Sequence, residues 1–164
     1  LRAQFNIPTQ VQSGNPAPLA LAKMDDAGDF ALGAPPSMTP SKGFKDLRAE
    51  LRGMVSSRSG RIAAEHAEAQ ALMRLHKAKG VANKNIEITV DGHWTCGHCI
   101  GSPTTGLPEI AKALDVKQLI LKNEGGFESL LGLPGPVTSV KIDGVLGKVT
   151  HVQYQGSTEW TAIN

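Results

Sequence analysis

Ile86, Ile88 and Val90 alternate with polar residues across Asn85–Asp91, a period of two that predicts a β-strand with one buried face. Upstream the period lengthens. Phe44, Leu47, Leu51, Met54 and Val55 recur at helical spacing, with residues 56–60 closing that helix. A second helix is expected from about Ala63 to Lys79, turning Ala67, Ala71, Leu72, Leu75 and Ala78 inward. Lys77 and Lys79 suit its negative end, and Gly80 falls just past it. Downstream, Leu107, Ile110 and Leu114 mark a third helix, and the short apolar run 116–121 reads as a buried parallel strand. Residues 123–136 are rich in Gly and Pro, with room for one helical turn at 127–131. A parallel crossover normally needs a dozen or more residues and a helix. The next strand, 137–142, is therefore expected antiparallel to its predecessor, with Asp143-Gly144 turning into a last strand at 148–155. Near the start, Leu19–Met24 and residues 29–32 flank the turn Asp25-Asp26-Ala27-Gly28, a hairpin pattern. The rest of residues 1–43 reads as irregular leader and linker, and residues 44–164 as the functional domain. The fold class is α/β: a mixed sheet flanked by helices, its last two core strands antiparallel.

Composition adds limits. A chain of 164 residues with 40% apolar and 20% charged positions suits one globular domain with a real core. No apolar run approaches the roughly 18 residues that span a bilayer, so no membrane partner is expected. Residues 1–10 lack the basic-then-apolar pattern of a signal peptide. The first residue is Leu rather than Met, and the chain is expected to be a piece of something longer. The net charge of +2 says little, but its distribution says more. Residues 42–79 hold nine Lys or Arg against four Asp or Glu, and every arginine lies at or before Arg74. Lys45, Arg48 and Arg52 make a stripe on the first helix that continues through Arg58 and Arg61 toward His66. Such a stripe is either a solvated helix face or an approach for nucleic acid.

The candidate chemistry lies in His66-Ala67-Glu68 and Cys96-Gly97-His98-Cys99, with a helix and a strand between. The chain has two cysteines, too few and too close for a disulfide scaffold, so metal ligation or redox chemistry is indicated. A catalytic zinc takes three protein ligands and keeps one position open. His66, Cys96 and Cys99 supply one imidazole and two thiolates, which together cancel the charge of Zn²⁺. The cysteines are expected where a helix begins, with backbone N–H groups there favouring thiolates. Glu68, two residues from His66 in the first turn of its helix, points elsewhere and serves as general base and acid. Each residue also has a plainer reading. His66 is then a helix-start histidine, and Glu68 answers the helix dipole. Cys96 and Cys99 form a redox pair or half of a structural zinc site completed by His93 or His98. Trp94 belongs either to the core or to a pocket wall.

His66-Ala67-Glu68-Ala69-Gln70-Ala71-Leu72, with Trp94-Thr95-Cys96-Gly97-His98-Cys99, resembles the cytidine-deaminase superfamily over roughly residues 59–121. Superfamily members usually carry Pro before the first cysteine; here it is Thr95. That departure is shared by deaminase domains of bacterial polymorphic toxins. Among these the chain is similar to the type VI secreted deaminases of cytosine in single-stranded DNA. The resemblance implies a cytidine-deaminase-like sheet, one Zn²⁺, Glu68 as the catalytic residue, and an unpaired base as substrate. It implies substrate contacts at Ala67, Trp94 and Thr95, with Arg61 on the approach. It also implies a secreted effector acting in a recipient cell's cytoplasm and a cognate immunity protein. The alternatives are a deaminase of RNA or of free nucleosides or nucleotides, and a non-catalytic zinc-stabilised binding module.

Overall fold

The computed structural model describes residues 18–25, 28–36, 45–91, 95, 99–100, 102–127 and 133–163. Seven strands form one mixed sheet in the order β2-β1-β3-β4-β5-β6-β7. They are β1 (Leu19–Met24), β2 (Phe30–Gly33), β3 (Asn85–Asp91), β4 (Gln118–Asn123), β5 (Val137–Asp143), β6 (Lys148–Tyr154) and β7 (Thr161–Ala162). The helices are α1 (Arg48–Arg52), α2 (Arg58–Ala63), α3 (Ala67–Lys79) and α4 (Leu107–Ala113). β3 and β4 run parallel, in register from Asn85 opposite Gln118 to Val90 opposite Asn123. Every other neighbouring pair is antiparallel, including β4 with β5 and β5 with β6. The α/β class and the antiparallel last core strands stand as expected. No described helix is long and apolar enough to cross a membrane.

The period-two pattern explains the core. Ile86, Ile88 and Val90 of β3 share a face with Leu119 and Leu121 of β4, which are their register partners or alternate with them. The pattern continues through Val140 and Ile142 of β5. The crossover from β2 through α3 to β3 and that from β3 through α4 to β4 step the same way across the sheet. Parallel crossovers share a right hand, so α3 and α4 lie on the same face. Leu72, Leu75, Leu107 and Ile110 fill the space between them and the strands in one cluster.

The hairpin of Leu19–Gly33 is part of this sheet. β1 pairs along its whole length with β3, from Leu19 opposite Asp91 to Met24 opposite Ile86. These residues form the hairpin expected from Leu19–Met24 and residues 29–32, and β1 joins it to the rest of the sheet. Their small side chains matter to α3. Ala20, Ala22 and Ala71 are fully buried, and Gly33 stands against the helix backbone. A Cβ placed on Gly33 would lie 2.2 Å from the Ala71 nitrogen and 2.4 Å from the Ala67 oxygen. Only glycine lets α3 approach this closely.

Other expectations change. Phe44 lies outside the described residues, and the helix expected from it is one short piece, α1. Gly53 and Met54 form a turn, which leaves Met54 37% exposed instead of inward. Residues 56–60, expected to end that helix, begin another. Ser57 is the N-cap of α2, its hydroxyl accepting the Gly60 N–H at 2.9 Å. The long helix expected from Ala63 is divided at residues 64–66, where His66 is extended (φ −100°, ψ 159°). Ala78 is exposed because the last turn of α3 leaves the covered face. β6 is not the last strand: β7 adds a two-residue edge opposite His151 and Val152.

Gly33→Ala should destabilise the fold by about 2–3 kcal/mol through overpacking against helix backbone. A urea melt with an unchanged slope but a lower midpoint is the expected reading.

Candidate metal centre

The turn between α2 and α3 carries the first half of the site. The His66 N–H donates to the Ala63 carbonyl at 3.0 Å, and its own carbonyl accepts the Gln70 N–H at 3.1 Å. His66 is thus the N-cap of α3, and Glu68 is the helix's second residue. Negative charge is favoured in this first turn. Glu68 is nonetheless buried at 4% exposure, and Ala67 beside it is fully buried. Gln70, one turn on, fixes the junction. Its Nε2 donates to the Ala64 carbonyl at 2.8 Å, and its Oε1 accepts the Leu47 N–H at 3.3 Å. One amide therefore satisfies a helix end and the start of α1, groups that burial would otherwise leave costly.

Cys99, fully buried, arrives from the other side. Its Sγ lies 3.0 Å from His66 Nδ1 and donates to Glu68 Oε2 at 2.9 Å. The three candidate donor atoms all lie within 4.8 Å of one another. Imidazole nitrogen, thiolate sulfur and carboxylate oxygen are the ordinary ligands of zinc. Bond lengths of roughly 2.0–2.3 Å put neighbouring tetrahedral donors about 3.5 Å apart. The observed spacings need only a small opening to reach that, so the donor set fits a metal ion. Cys96 and Trp94 lie outside the described residues, as do His93 and His98.

Cys99 is not at a helix start, contrary to expectation. α4 begins at Leu107, whose N–H donates to the Cys99 carbonyl at 2.7 Å. Residues 102–105 curl on the Ser102 hydroxyl, which accepts from the N–H groups of Thr104 and Thr105, each at 3.2 Å. Gly106 then takes φ +88° as the N-cap, and Pro108 is the second residue of the helix. The backbone N–H groups expected to favour the Cys99 thiolate belong to this later turn.

Two ties, one half-buried and one buried, bring the halves together. Glu109 of α4 accepts from the Ser57 hydroxyl, and its Oε1 also accepts the Gly106 N–H at 3.1 Å. The start of α2, which leads to His66, is thereby held to the start of α4, which follows Cys99. The second tie is at the end of β4. Asn123 Nδ2 donates to Thr95 Oγ1 at 2.9 Å, and Asn123 Oδ1 accepts the Gly125 N–H at 2.9 Å. The Thr95 N–H donates to the Gly126 carbonyl at 3.0 Å. Thr95, a candidate substrate contact, is 1% exposed and its hydroxyl is engaged by Asn123.

The basic approach is rearranged. The Arg48 guanidinium grips Asp46, with Nη2 2.7 Å from Oδ2, and Arg52 pairs with Glu65. Asp46 and Glu50 are partners of cations: Arg48 holds Asp46, and Lys77 meets Glu50 at 2.7 Å. The stripe is largely neutralised. Arg58 and Arg61 are exposed on α2, with no ion pair among the described residues.

Gln70, Glu109 and Asn123 were not candidates in the sequence. Glu109 had a signal, since it follows Gly106 by three positions beside Pro108 in the first turn. Gln70 and Asn123 had none, because their partners are distant in sequence.

No family model, curated protein or solved structure matches this chain.

Thr95→Val should cost about 1–3 kcal/mol by leaving the buried Asn123 amide short of an acceptor, read in a denaturant melt. The hydrogen bond from Arg48 holds the Asp46 carboxyl below its usual range. Its contribution to stability is therefore complete above the unfolded value near 3.9 and is lost as pH falls through the lower folded value. Acid titration of Asp46→Asn should show a weaker pH dependence than the parent below about pH 4.

Proposed function

We propose that the protein is a zinc-dependent deaminase that converts cytosine to uracil in single-stranded DNA, a toxin domain acting inside a recipient bacterium. The observation that carries the reading is the meeting of His66, Glu68 and Cys99 in one buried place. The likeness of residues 59–121 to deaminase toxins supplies the substrate, and the exposed Arg58 and Arg61 ahead of His66 agree with a polyanion.

His66 and Cys99 would hold the metal, with Cys96 as third ligand. When bound, zinc supplies Lewis acidity that makes water ionise near neutral pH. Glu68 takes the proton from the water whose oxygen bonds to C4 of cytosine. It returns that proton to ring nitrogen N3, and the second water proton goes to the exocyclic amine. The C4–N4 bond breaks, ammonia leaves and uracil remains. A carboxylate suits this alternation between base and acid, and burial beside Cys99 keeps its path short and bulk water out. The amide of Ala67, in the first turn of α3, is directed as a helix N-terminal donor and suits the base carbonyl.

The Cys99–Glu68 contact favours a second reading, in which Glu68 is itself a ligand and the centre is structural. Glu68→Gln separates the two. In the catalytic reading, uracil formation falls by at least about a hundredfold while zinc stays bound. Oligonucleotides treated with uracil glycosylase and alkali report activity, and elemental analysis reports zinc. If Glu68→Gln instead sheds the metal, and the parent yields no uracil in any strand, the structural reading replaces the catalytic one.

A further inference from the structure

Thr95 is 1% exposed, and Asn123, 2% exposed at the end of β4, is its side-chain partner. The hydrogens of this contact can be placed from its neighbours. An asparagine amide has one end that accepts and one that donates. The Gly125 N–H, 2.9 Å away, can only donate, so the end it meets is Oδ1. Nδ2 is therefore the end that faces Thr95 Oγ1 at 2.9 Å, and it donates. The Thr95 hydroxyl is thus the acceptor in this contact, and its own hydrogen points elsewhere. No acceptor for that hydrogen is present among the described residues. A buried donor left without an acceptor costs more than an unused lone pair. Thr95 immediately precedes Cys96 in the chain. Its segment meets the start of α3, with Ala67 and Glu68, beyond the ends of β3 and β4.

On the deaminase reading of that centre, we propose that the Thr95 hydroxyl, oriented by Asn123, donates to the O2 carbonyl of the substrate cytosine. Thr95 is the contact, and Asn123 is the positioning residue. Cytosine offers two acceptors on this edge, N3 and O2. N3 takes a proton from Glu68, which leaves O2 for a fixed donor. A carbonyl oxygen has two lone pairs, so the Ala67 amide and Thr95 share it. The same donor selects against adenine. With its amine-bearing carbon on the same spot, adenine puts a ring nitrogen where cytosine has N3 and a C–H where cytosine has C2=O. The C–H gives Thr95 nothing to bond, and the orphaned donor penalises that base.

The test compares the zinc-loaded parent with Asn123→Asp, Thr95→Val and Thr95→Ser. The substrate is a single-stranded oligonucleotide carrying one cytosine or one 2-thiocytosine, and ammonia release gives kcat and KM for both. In Asn123→Asp the carboxylate still accepts the Gly125 N–H but also takes the Thr95 hydrogen, turning the donor away from the base. Asn123→Asp and Thr95→Val should each raise KM for cytosine about three- to tenfold, the span of one hydrogen bond, with kcat and bound zinc far less affected. Thr95→Ser, which restores the hydroxyl, should recover most of that loss. Sulfur is a weak acceptor, so 2-thiocytosine should raise KM in the parent and add less in Asn123→Asp and Thr95→Val. The inhibition constant of a strand carrying adenine, divided by the KM for cytosine, should shrink by the same factor in both variants. The proposal is overturned if Asn123→Asp and Thr95→Val keep the parent's KM. It is also overturned if they lose zinc or kcat instead of affinity, or if the sulfur penalty is equal in every variant. Should Asn123→Asp fail to fold, Thr95→Val and Thr95→Ser decide the question on the same readings. A parent that releases no ammonia from any strand overturns the deaminase reading and this assignment together. An active parent with unaltered KM in the variants overturns this assignment alone.

Discussion

A carboxyl group buried to 4% exposure needs partners, and Glu68 has one in the Cys99 thiol, which in turn lies against His66. This contact joins residues 31 and 33 positions apart, and the surrounding architecture serves to make it possible. α3 must sit close to the sheet so that its first turn reaches the end where β3 and β4 finish. Gly33 and the alanines of β1 permit that approach. Residues 102–106 must turn the chain before α4 begins, and the Ser102 hydroxyl with the Gly106 backbone arranges this. The Ser57–Glu109 bond then clamps the two sides. Each of these supports is a hydrogen-bonded or close-packed feature that leaves little freedom, as a buried polar cluster requires.

The placement also follows a general property of sheets with parallel strands. Ligand sites gather beyond the carboxyl ends of such strands, where connections diverge. The α3 start, the end of β4 at Asn123 and the Thr95 segment all meet there. Asn123 contributes the last inward position of β4, where an apolar residue would be usual. Its amide is spent on positioning Thr95 and the 125–126 turn, so the strand end becomes a bracket for the segment that leads to the cysteines.

Charge is organised by the fold rather than by helical spacing. Two members of the expected stripe, Arg48 and Arg52, are held in ion pairs. Exposed pairs such as Arg48–Asp46 contribute little to stability. They nevertheless remove those cations from any long-range attraction of a polyanion, and leave Arg58 and Arg61 exposed on α2.

The sequence by itself determined strands β1 to β6 in kind and the antiparallel run from β4 to β6. Alternation over Asn85–Asp91, turn residues at 25–28 and 143–144, and a Gly-Pro connection too short in helix for a parallel crossover all act locally. The structure has the strand at Asn85–Asp91, the β1–β2 pair, the turn after Asp143 and the antiparallel β4–β5 pair. The pairing of His66 and Glu68 at a helix start was equally legible, since a capping position and a first turn are properties of adjacent residues. The tertiary structure alone decided what those residues meet. Division of the long helix at residues 64–66 depends on the Gln70 side chain reaching Ala64 and Leu47. Displacement of Cys99 from a helix start depends on where Ser102 and Gly106 turn the chain. Partners of Arg48 and Arg52 and the contact of Cys99 with Glu68 are contacts across space. Periodicity carries no information about them, because it records which face a side chain takes and not what lies opposite.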